Sequence, residues 1–518
     1  HSLNGTQVLN RIEQQLGVKV EFEELFEYAT VASLSAHVDR LLEAGKVADY
    51  QQILPVAPQP HYPLSHAQER IWILSQLEEG LLAYNISSHF ILKGTVDRHA
   101  LDRAFQTLVA RHEVLRTTFI TVQDEPRQQV HDPADFGFRV QYQDLRGQAD
   151  AEPVGRAIIR EDLTTAFDLR NGPLFKAKLL QLDHDAYLFS LNIHHSIADA
   201  WSMEVLVKEV LVLYKAYSAG EENPLKPLSI QYKDYCAWQN SYLTDEKIRD
   251  EKAYWLREFE TAPPVLELSD HPRSSYLTFE GETINLEIEP ALTHQVRESL
   301  AQTKATLFVQ MLSAFKVLIA KYTGQEDITI GAPVSGRGHE NLHDLIGCFV
   351  NLVPLRSGPE SSKTFGQFVA EMKEKVVGAF QHSNLQFQEL VQLLGVKADA
   401  NRNPLFDIVF ILENDAKAAR QDDATDFSIT PLDNDVNTSH FDLTLTVMEQ
   451  ADTLTLSLNY ASKLFERSSA EAMLLHFKEI LGQVSANMEV KIEDIEISHG
   501  LQTVQPMLLE APPSFLFS

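Results

Sequence analysis

His194, His195 and Asp199 are the side chains whose types and spacing suit proton chemistry. They stand in Ile193-His194-His195-Ser196-Ile197-Ala198-Asp199-Ala200-Trp201-Ser202, at the end of an apolar run and ahead of a Trp201-Ser202 pair placed to open a helix. An imidazole titrates near neutrality, so it can take a proton and release it again at physiological pH. A carboxylate four residues past His195 is placed to orient it. The runs Leu174 to Leu182 and Ala186 to His194 flank the polar turn Asp183-His184-Asp185 and predict a β-hairpin or adjacent strands. In the second run, period two puts Phe189, Leu191, Ile193 and His195 on one face and Leu188, Ser190, Asn192 and His194 on the other. The imidazoles then point opposite ways. One can enter a reaction space while the other packs beneath it, which argues against a metal held by both.

Other elements must position this stretch. Helical periodicity follows it through Val205, Leu206, Val210, Leu213, Tyr214 and Tyr217 as far as Gly220, and Asn223-Pro224-Leu225-Lys226-Pro227 then marks an internal boundary. Before it, Ser65 to Leu77 and Leu101 to Ala110 read as helices and Ser87 to Leu92 as a strand. After it, strands are expected at Glu282 to Ile288, Asp327 to Gly331, Phe441 to Met448 and Leu454 to Tyr460, and helices at Thr306 to Tyr322, ended by Gly324, and at Ala470 to Ile480. The loop Pro333-Val334-Ser335-Gly336-Arg337-Gly338 is placed to bend back across a neighbouring lobe. At the start, Leu3, Val8, Leu9, Ile12 and Leu16 follow a helical period that Gly17 stops; Phe22, Leu25 and Phe26 lead to a second run from Val31 to Leu42 with Thr30 as N-cap. Pro55, Pro58, Pro60 and Pro63 mark a semi-extended linker.

The composition sets bounds on partners. Asp and Glu number 73 against 44 Lys and Arg, a formal net charge of −29. Without a basic patch, that charge repels phosphate backbones and anionic lipid head groups, so neither nucleic acid nor membrane is an expected partner. The longest apolar runs, such as Ala314 to Ala320, fall well short of the roughly 20 residues that span a bilayer. The start of the sequence has no secretory apolar region. Cys236 and Cys348 are the two cysteines, too few for a disulfide framework or a zinc-ligand spacing, and a reducing cytoplasm is the expected setting.

Taken in order, the motifs become specific. Ser65-x-Ala67-Gln68-x-Arg70-x-Trp72, Arg111-His112-Glu113-x-Leu115-Arg116-Thr117, His194-His195-x-x-x-Asp199, Tyr232-x-Asp234-Tyr235-x-x-Trp238, Ile346-Gly347-Cys348-Phe349-Val350-Asn351-x-x-Pro354-x-Arg356 and Asn403-Pro404-Leu405-Phe406 resemble the ordered motifs of condensation domains of nonribosomal peptide synthetases over about residues 62 to 490. Ahead of them, His1-Ser2-Leu3 and Phe26-x-x-x-Thr30-Val31-x-x-Leu34 resemble the C-terminal part of a peptidyl carrier (thiolation) domain, which implies Ser2 as the attachment point of 4′-phosphopantetheine.

The resemblance implies an α/β fold of two chloramphenicol-acetyltransferase-like lobes in a V shape, preceded by part of a small helical carrier domain. The expected division is 1–45 carrier, 46–62 linker, 63–226 N-lobe, 227–495 C-lobe and 496–518 tail. It further implies peptide-bond formation between a donor and an acceptor thioester, with upstream and downstream carrier domains and neighbouring adenylation domains of the same synthetase as partners and no metal. His195 is the expected catalytic group, either taking a proton from the amine or hydrogen-bonding it. His194, Asp199, Arg111, Arg116, Ala200, Trp201, Ser202, Trp238 and Asn351 are expected to support it.

Within that set Asp199 is read as a structural ion-pair partner of Arg111 or Arg116. Two departures from the family pattern stand out. Ala200 replaces the usual Gly, which implies strain if its backbone needs φ > 0 or a narrowed donor passage. His382-Ser383-Asn384-Leu385-Gln386-Phe387 lacks the usual residues around Phe387, and this loop is expected to be peripheral. An L-configured or achiral donor is favoured because the carrier segment runs straight into the condensation motifs, and heterocyclization is disfavoured by His194. The competing readings are an epimerization domain and a catalytically silent recruitment domain of the same fold.

Overall fold

In the computed structural model, the strand that ends at the histidine pair runs through the interior of a five-stranded sheet. The structure describes residues 8, 9, 11–13, 15–20, 24, 28, 30–44, 52–76, 84–243, 248–396, 399, 401–414, 427–432 and 438–498. Ser2, the pattern at Phe22, Leu25 and Phe26, and the tail beyond 498 lie outside the described residues.

The strands are β1 (Tyr62–Pro63), β2 (Asn85–Gly94), β3 (Thr117–Val122), β4 (Glu125–Val130), β5 (Gln141–Asp144), β6 (Phe175–Gln181), β7 (Ala186–His194), β8 (Gly281–Ile288), β9 (Ile328–Val334), β10 (Asn351–Ser357), β11 (Ile408–Asn414), β12 (Phe427–Leu432), β13 (Leu443–Glu449) and β14 (Leu454–Ala461). Helices α1 (Val31–Glu43), α2 (His66–Leu74), α3 (Arg98–Arg111), α4 (Ala200–Ser218), α5 (Tyr232–Tyr242), α6 (Leu307–Thr323), α7 (Phe365–Gln381) and α8 (Arg467–Ala486) pack around them. The first sheet has the order β12-β2-β7-β6-β5, the second β10-β9-β11-β13-β14-β8, and a small third β1-β4-β3.

β6 and β7 form the expected antiparallel pair, with Phe175 opposite Ile193 and Gln181 opposite Tyr187. On its other side β7 pairs with β2, Ile86 opposite Ile193. Both faces of β7 are covered: Tyr187 to His194 are all buried, and Phe189 packs on Phe105 of α3 with ring centroids 5.8 Å apart. α4 contributes Leu206, Val210 and Leu213 to this first core. Burying side chains of this size is worth roughly 1.5–3 kcal/mol each relative to leaving them in water, and the strand that delivers His195 is rigid for that reason.

The boundary at 226/227 does not divide the cores. Ile230, Tyr232, Tyr235, Cys236, Leu342, Leu345, Ile346, Phe349 and Phe427 all join the first core. β12 lies far along the chain yet pairs antiparallel with β2, Leu432 opposite His89 and Phe427 opposite Gly94. It covers an edge that would otherwise expose unpaired backbone groups. The two halves of the molecule are therefore tied by backbone hydrogen bonds as well as by side chains.

The second core is built around α6, which ends at Gly324 as its sequence predicts and is capped at its start by the Thr306 hydroxyl. The face of α6 is broken by a fully buried Lys316, whose ammonium donates to the carbonyls of Ile328 and Leu355 and to Ser357 Oγ at 2.7–2.8 Å. Those three acceptors make its burial tolerable and pin β9 and β10 to the helix. Near the start, Thr30 caps α1 in a reciprocal pairing with Ser33. Leu9, Val18, Val20, Val38 and Leu41 pack together and against Val377 of α7. Among the described residues no single helix is long and apolar enough to cross a membrane.

Candidate active site

β7 releases its chain at His194, and the next three residues form a turn. The His194 backbone N–H still reaches the Leu174 carbonyl at 2.9 Å, and that of His195 reaches the Tyr84 carbonyl at 2.7 Å, so both strand neighbours hold the loop. The histidines separate as alternation requires. His194 is fully buried, with Nδ1 2.7 Å from Ser196 Oγ and its ring edge-on to Phe167. Burial, and then the charge of His195, push its pKa down to about 3, so it is a neutral core imidazole. His195 is only partly buried, with Nδ1 3.7 Å from the Cys348 sulfur. Desolvation lowers its pKa, against hydrogen bonding to backbone and the nearby charge of Asp199, while Arg70 adds to the lowering. A neutral imidazole has a lone pair to offer.

Asp199 belongs to the scaffold. It is the N-cap of α4: Oδ1 accepts the Ser202 backbone N–H at 2.8 Å and the Ser202 hydroxyl at 2.6 Å, and Oδ2 accepts the Phe349 N–H at 3.0 Å. Its ion pair is with Arg337, 3.0 Å away, both side chains almost fully buried. This corrects the expected partners. Arg111 pairs with Glu209, to which His112 also bonds at 2.7 Å. Arg116 donates to the His131 carbonyl and lies 3.7 Å from Glu113. The Arg111–Thr117 motif therefore fastens α3 to α4 from below and never reaches Asp199.

Arg337 comes from the loop after β9, which bends back as its sequence suggested. Its guanidinium also donates to Ser202 Oγ and to the carbonyls of Leu342 and Leu345, and it lies 3.9 Å from the centre of the Phe349 ring, a cation–π distance. Trp201 Nε1 donates to the His343 carbonyl at 2.8 Å. Ser202 Oγ accepts the Gly347 N–H and lies 2.7 Å from the Gly347 carbonyl. The start of α4 and the 337–349 loop thus form one hydrogen-bonded block.

Gly336 lets that loop turn, with φ +64° and the position of a Cβ only 1.9 Å from the Phe349 carbonyl oxygen. Gly336→Ala is expected to lower Tm by several degrees, combining about 1 kcal/mol of backbone strain with about 1–3 kcal/mol of overpacking. An unchanged thermal unfolding curve would contradict this packing.

Of the two effects expected of Ala200, backbone strain is absent. Ala200 is the first residue of α4, is exposed, and is not among the residues with positive φ, so its methyl group carries no backbone strain.

Beneath the loop, Gln68 Nε2 donates to the Ser196 carbonyl at 3.0 Å. Ser65 Oγ meets the Tyr232 hydroxyl at 2.7 Å, which in turn donates to the Cys348 carbonyl. Gly347 is required where it stands, because a Cβ there would lie 2.0 Å from the buried Tyr232 ring. Trp238 stacks on Tyr242 with centroids 4.7 Å apart, along α5. Asn351 Nδ2 donates to the carbonyls of Ser383 and Leu385, and its Oδ1 accepts the Phe387 N–H. The 382–387 loop is therefore not peripheral: Asn351 holds it, and Arg70 lies 5.3 Å from the centre of the Phe387 ring.

Sequence reasoning missed Arg337 as a partner, Tyr84, and His440. The His440 ring lies 5.0 Å from that of Tyr84, centre to centre. Arg337 carried one signal, a lone cation in a glycine-flanked loop; His440 carried none, since it precedes an ordinary strand.

Residues 58–504 match the condensation-domain family model, and residues 1–38 match that of the phosphopantetheine attachment site. Tyrocidine synthase 3 of Brevibacillus parabrevis is 37% identical over 500 residues, covering 96% of this chain and 7% of that protein. Bacitracin synthase 3 of Bacillus licheniformis is 34% identical over 497 residues, covering 96% and 8%. The chain thus spans a small part of the length of these relatives. Among solved structures, the X-domain in its complex with OxyB from teicoplanin biosynthesis has a TM-score of 0.79 at 23% identity, covering 88% of this chain and 99% of that one. The first condensation domain of the calcium-dependent antibiotic synthetase, in complex with a substrate analogue, has a TM-score of 0.69 at 20% identity, covering 85% and 100%. At these identities the likeness is one of fold.

Proposed function

The chain belongs to the condensation-domain family, and from that premise we propose that it forms a peptide bond between a donor acyl thioester and the α-amine of an acceptor aminoacyl thioester. The observation that carries this reading is the division of labour around His195. Asp199 is spent on Arg337, Ser202 and Phe349, which leaves the His195 imidazole, partly exposed and neutral, at the end of a rigid strand.

Aminolysis of a thioester asks for little more. The acyl carbon is already activated, and an α-amine with a pKa near 8 is partly unprotonated at neutral pH. Holding the two groups in contact supplies much of the barrier reduction. As the C–N bond forms and the C–S bond breaks, the nitrogen must lose a proton. His195 accepts it or its hydrogen bond, and the proton ends on the departing thiolate. A phosphopantetheine arm on the Ser2 hydroxyl would supply the thiol that carries the donor. The match over residues 1–38 supports that assignment, Ser2 itself being outside the described residues. The direct passage from carrier match to condensation match favours an L-configured or achiral donor.

Loading donor and acceptor amino acids on carrier domains, mixing them with the protein and weighing the acceptor carrier tests the reading. A dipeptidyl thioester is expected. Exchange of the Cα proton without a dipeptide would establish epimerization instead, and tight binding of another protein without either reaction would establish recruitment.

The pH profile adds a second check. Because the pKa of His195 is lowered, its basic form persists below the ordinary imidazole value of about 6.5. The acid-side loss of kcat/KM between pH 9 and 6 is therefore expected to follow the acceptor amine alone, with an inflection near 8. A further inflection at about 6.5 that disappears in His195→Gln would contradict the lowered pKa.

A further inference from the structure

His440 stands three residues before β13, and nothing in the mechanism above uses it. Its backbone is fixed: its carbonyl accepts Asn403 Nδ2 at 3.0 Å, and the N–H of the preceding Ser439 reaches the Phe279 carbonyl at 2.9 Å. Its ring packs against Tyr84, 5.0 Å between centres, and against Phe279 at 6.1 Å. Tyr84 is also the residue whose carbonyl holds the His195 backbone N–H, so both histidines meet one residue, His440 through its ring and His195 through its backbone, and His440 lies within range of the charge of His195. His440 also lines a small open cleft, together with Arg273, Thr278, Asn401, Asn403 and Asp442. His440 Nδ1 is buried and has no hydrogen-bond partner among the described residues. Buried polar atoms are usually satisfied, and one that is not asks for an explanation.

We propose that His440 is a second imidazole of the reaction site, which accepts a hydrogen bond from the nucleophilic amine and holds it toward the donor thioester beside His195. The amine is the partner that fits an acceptor nitrogen, since it brings N–H groups, whereas the thioester carbonyl brings only lone pairs. The ring is available as an acceptor because it stays neutral. Burial, with added repulsion from His195 and Arg70, pushes its pKa down to about 3. The other titratable groups around it do not reverse this: Cys348 is held as the thiol by burial, and Asp442 in the cleft is paired with Arg273. His440 gains and loses no proton in net. The amine's proton leaves by way of His195 to the thiolate, as above.

This inference rests on the peptide-bond reading and is tested separately from it. His440→Phe keeps the ring packing and removes the acceptor, and it is expected to lower kcat/KM for the acceptor thioester about tenfold, the value of one hydrogen bond at a reacting group. The donor KM should stay within about twofold of wild type, and His440→Gln, whose side-chain carbonyl accepts a hydrogen bond, should recover most of the loss. An unchanged acceptor kcat/KM, a loss confined to the donor KM, or a His440→Gln variant no better than His440→Phe would each overturn the proposal. Should the phenylalanine variant fail to fold, the nitrogen resonances of the wild-type His440 ring decide. They are expected to shift when a non-reacting aminoacyl-pantetheine amide is added, and an unmoved resonance at saturation overturns the assignment. A wild-type protein that forms no dipeptide would refute the peptide-bond reading, whereas an active wild type with silent His440 variants would refute His440 alone.

Discussion

Replacing Arg337 with methionine is expected to destabilise the protein by about 3–5 kcal/mol, the cost of leaving one member of a buried ion pair behind. Asp199 would keep its bonds from Ser202 and Phe349, but its charge would face no cation in a region where both side chains are almost fully covered. The loss reaches beyond the pair. Arg337 also collects the carbonyls of Leu342 and Leu345, and the 337–349 loop anchors Trp201 and Ser202. Asp199→Ala is expected to cost as much or more, because it removes the N-cap of α4 as well. The double variant should be less destabilised than the sum of the two, by a coupling of about 0.5–3 kcal/mol. Denaturant midpoints of the four proteins measure this. Strict additivity, or an Asp199→Ala protein of wild-type stability, would return Asp199 to a direct part in the chemistry.

His195→Ala is expected to leave stability nearly unchanged and to lower the rate of dipeptide formation about 10²- to 10⁴-fold, the range for one general base. The ring is partly exposed, and beside hydrogen bonding to the backbone of its own loop it makes a long contact with the Cys348 sulfur, so little packing is lost. Its backbone bond to Tyr84 survives the substitution. The activity left over would measure what proximity of amine and thioester provides by itself.

How far these features were legible in the sequence depended on the range of the interactions that fix them. The β6–β7 pair, the length of α6 and its stop at Gly324, and the Thr30 cap follow from local periodicity and local hydrogen bonding, and they stand where expected. The opposite facing of His194 and His195 followed from strand alternation alone. What failed was long-range. Asp199 and Arg337 are 138 residues apart, and an ion pair has no period that a sequence can display; Arg111 and Arg116 were nearer candidates but serve Glu209 and His131. β12 joins a sheet whose other strands are far away in the chain, so a single cut at 226/227 divides the motifs but not the cores. Ala200 was read through the glycine it replaces, yet an ordinary helical start accepts either residue. The 382–387 loop looked expendable until Asn351 was seen to hold it.

The central claim is that an imidazole at the end of β7 serves an amine attacking a carrier-bound thioester, with Asp199 holding the fold. Single-turnover formation of dipeptidyl thioester on the acceptor carrier, followed by intact mass for wild type and His195→Ala at equal folded concentration, tests it most directly. The account predicts product with the wild type and a rate at least about 100-fold lower in the variant. Equal rates in the two proteins would contradict it.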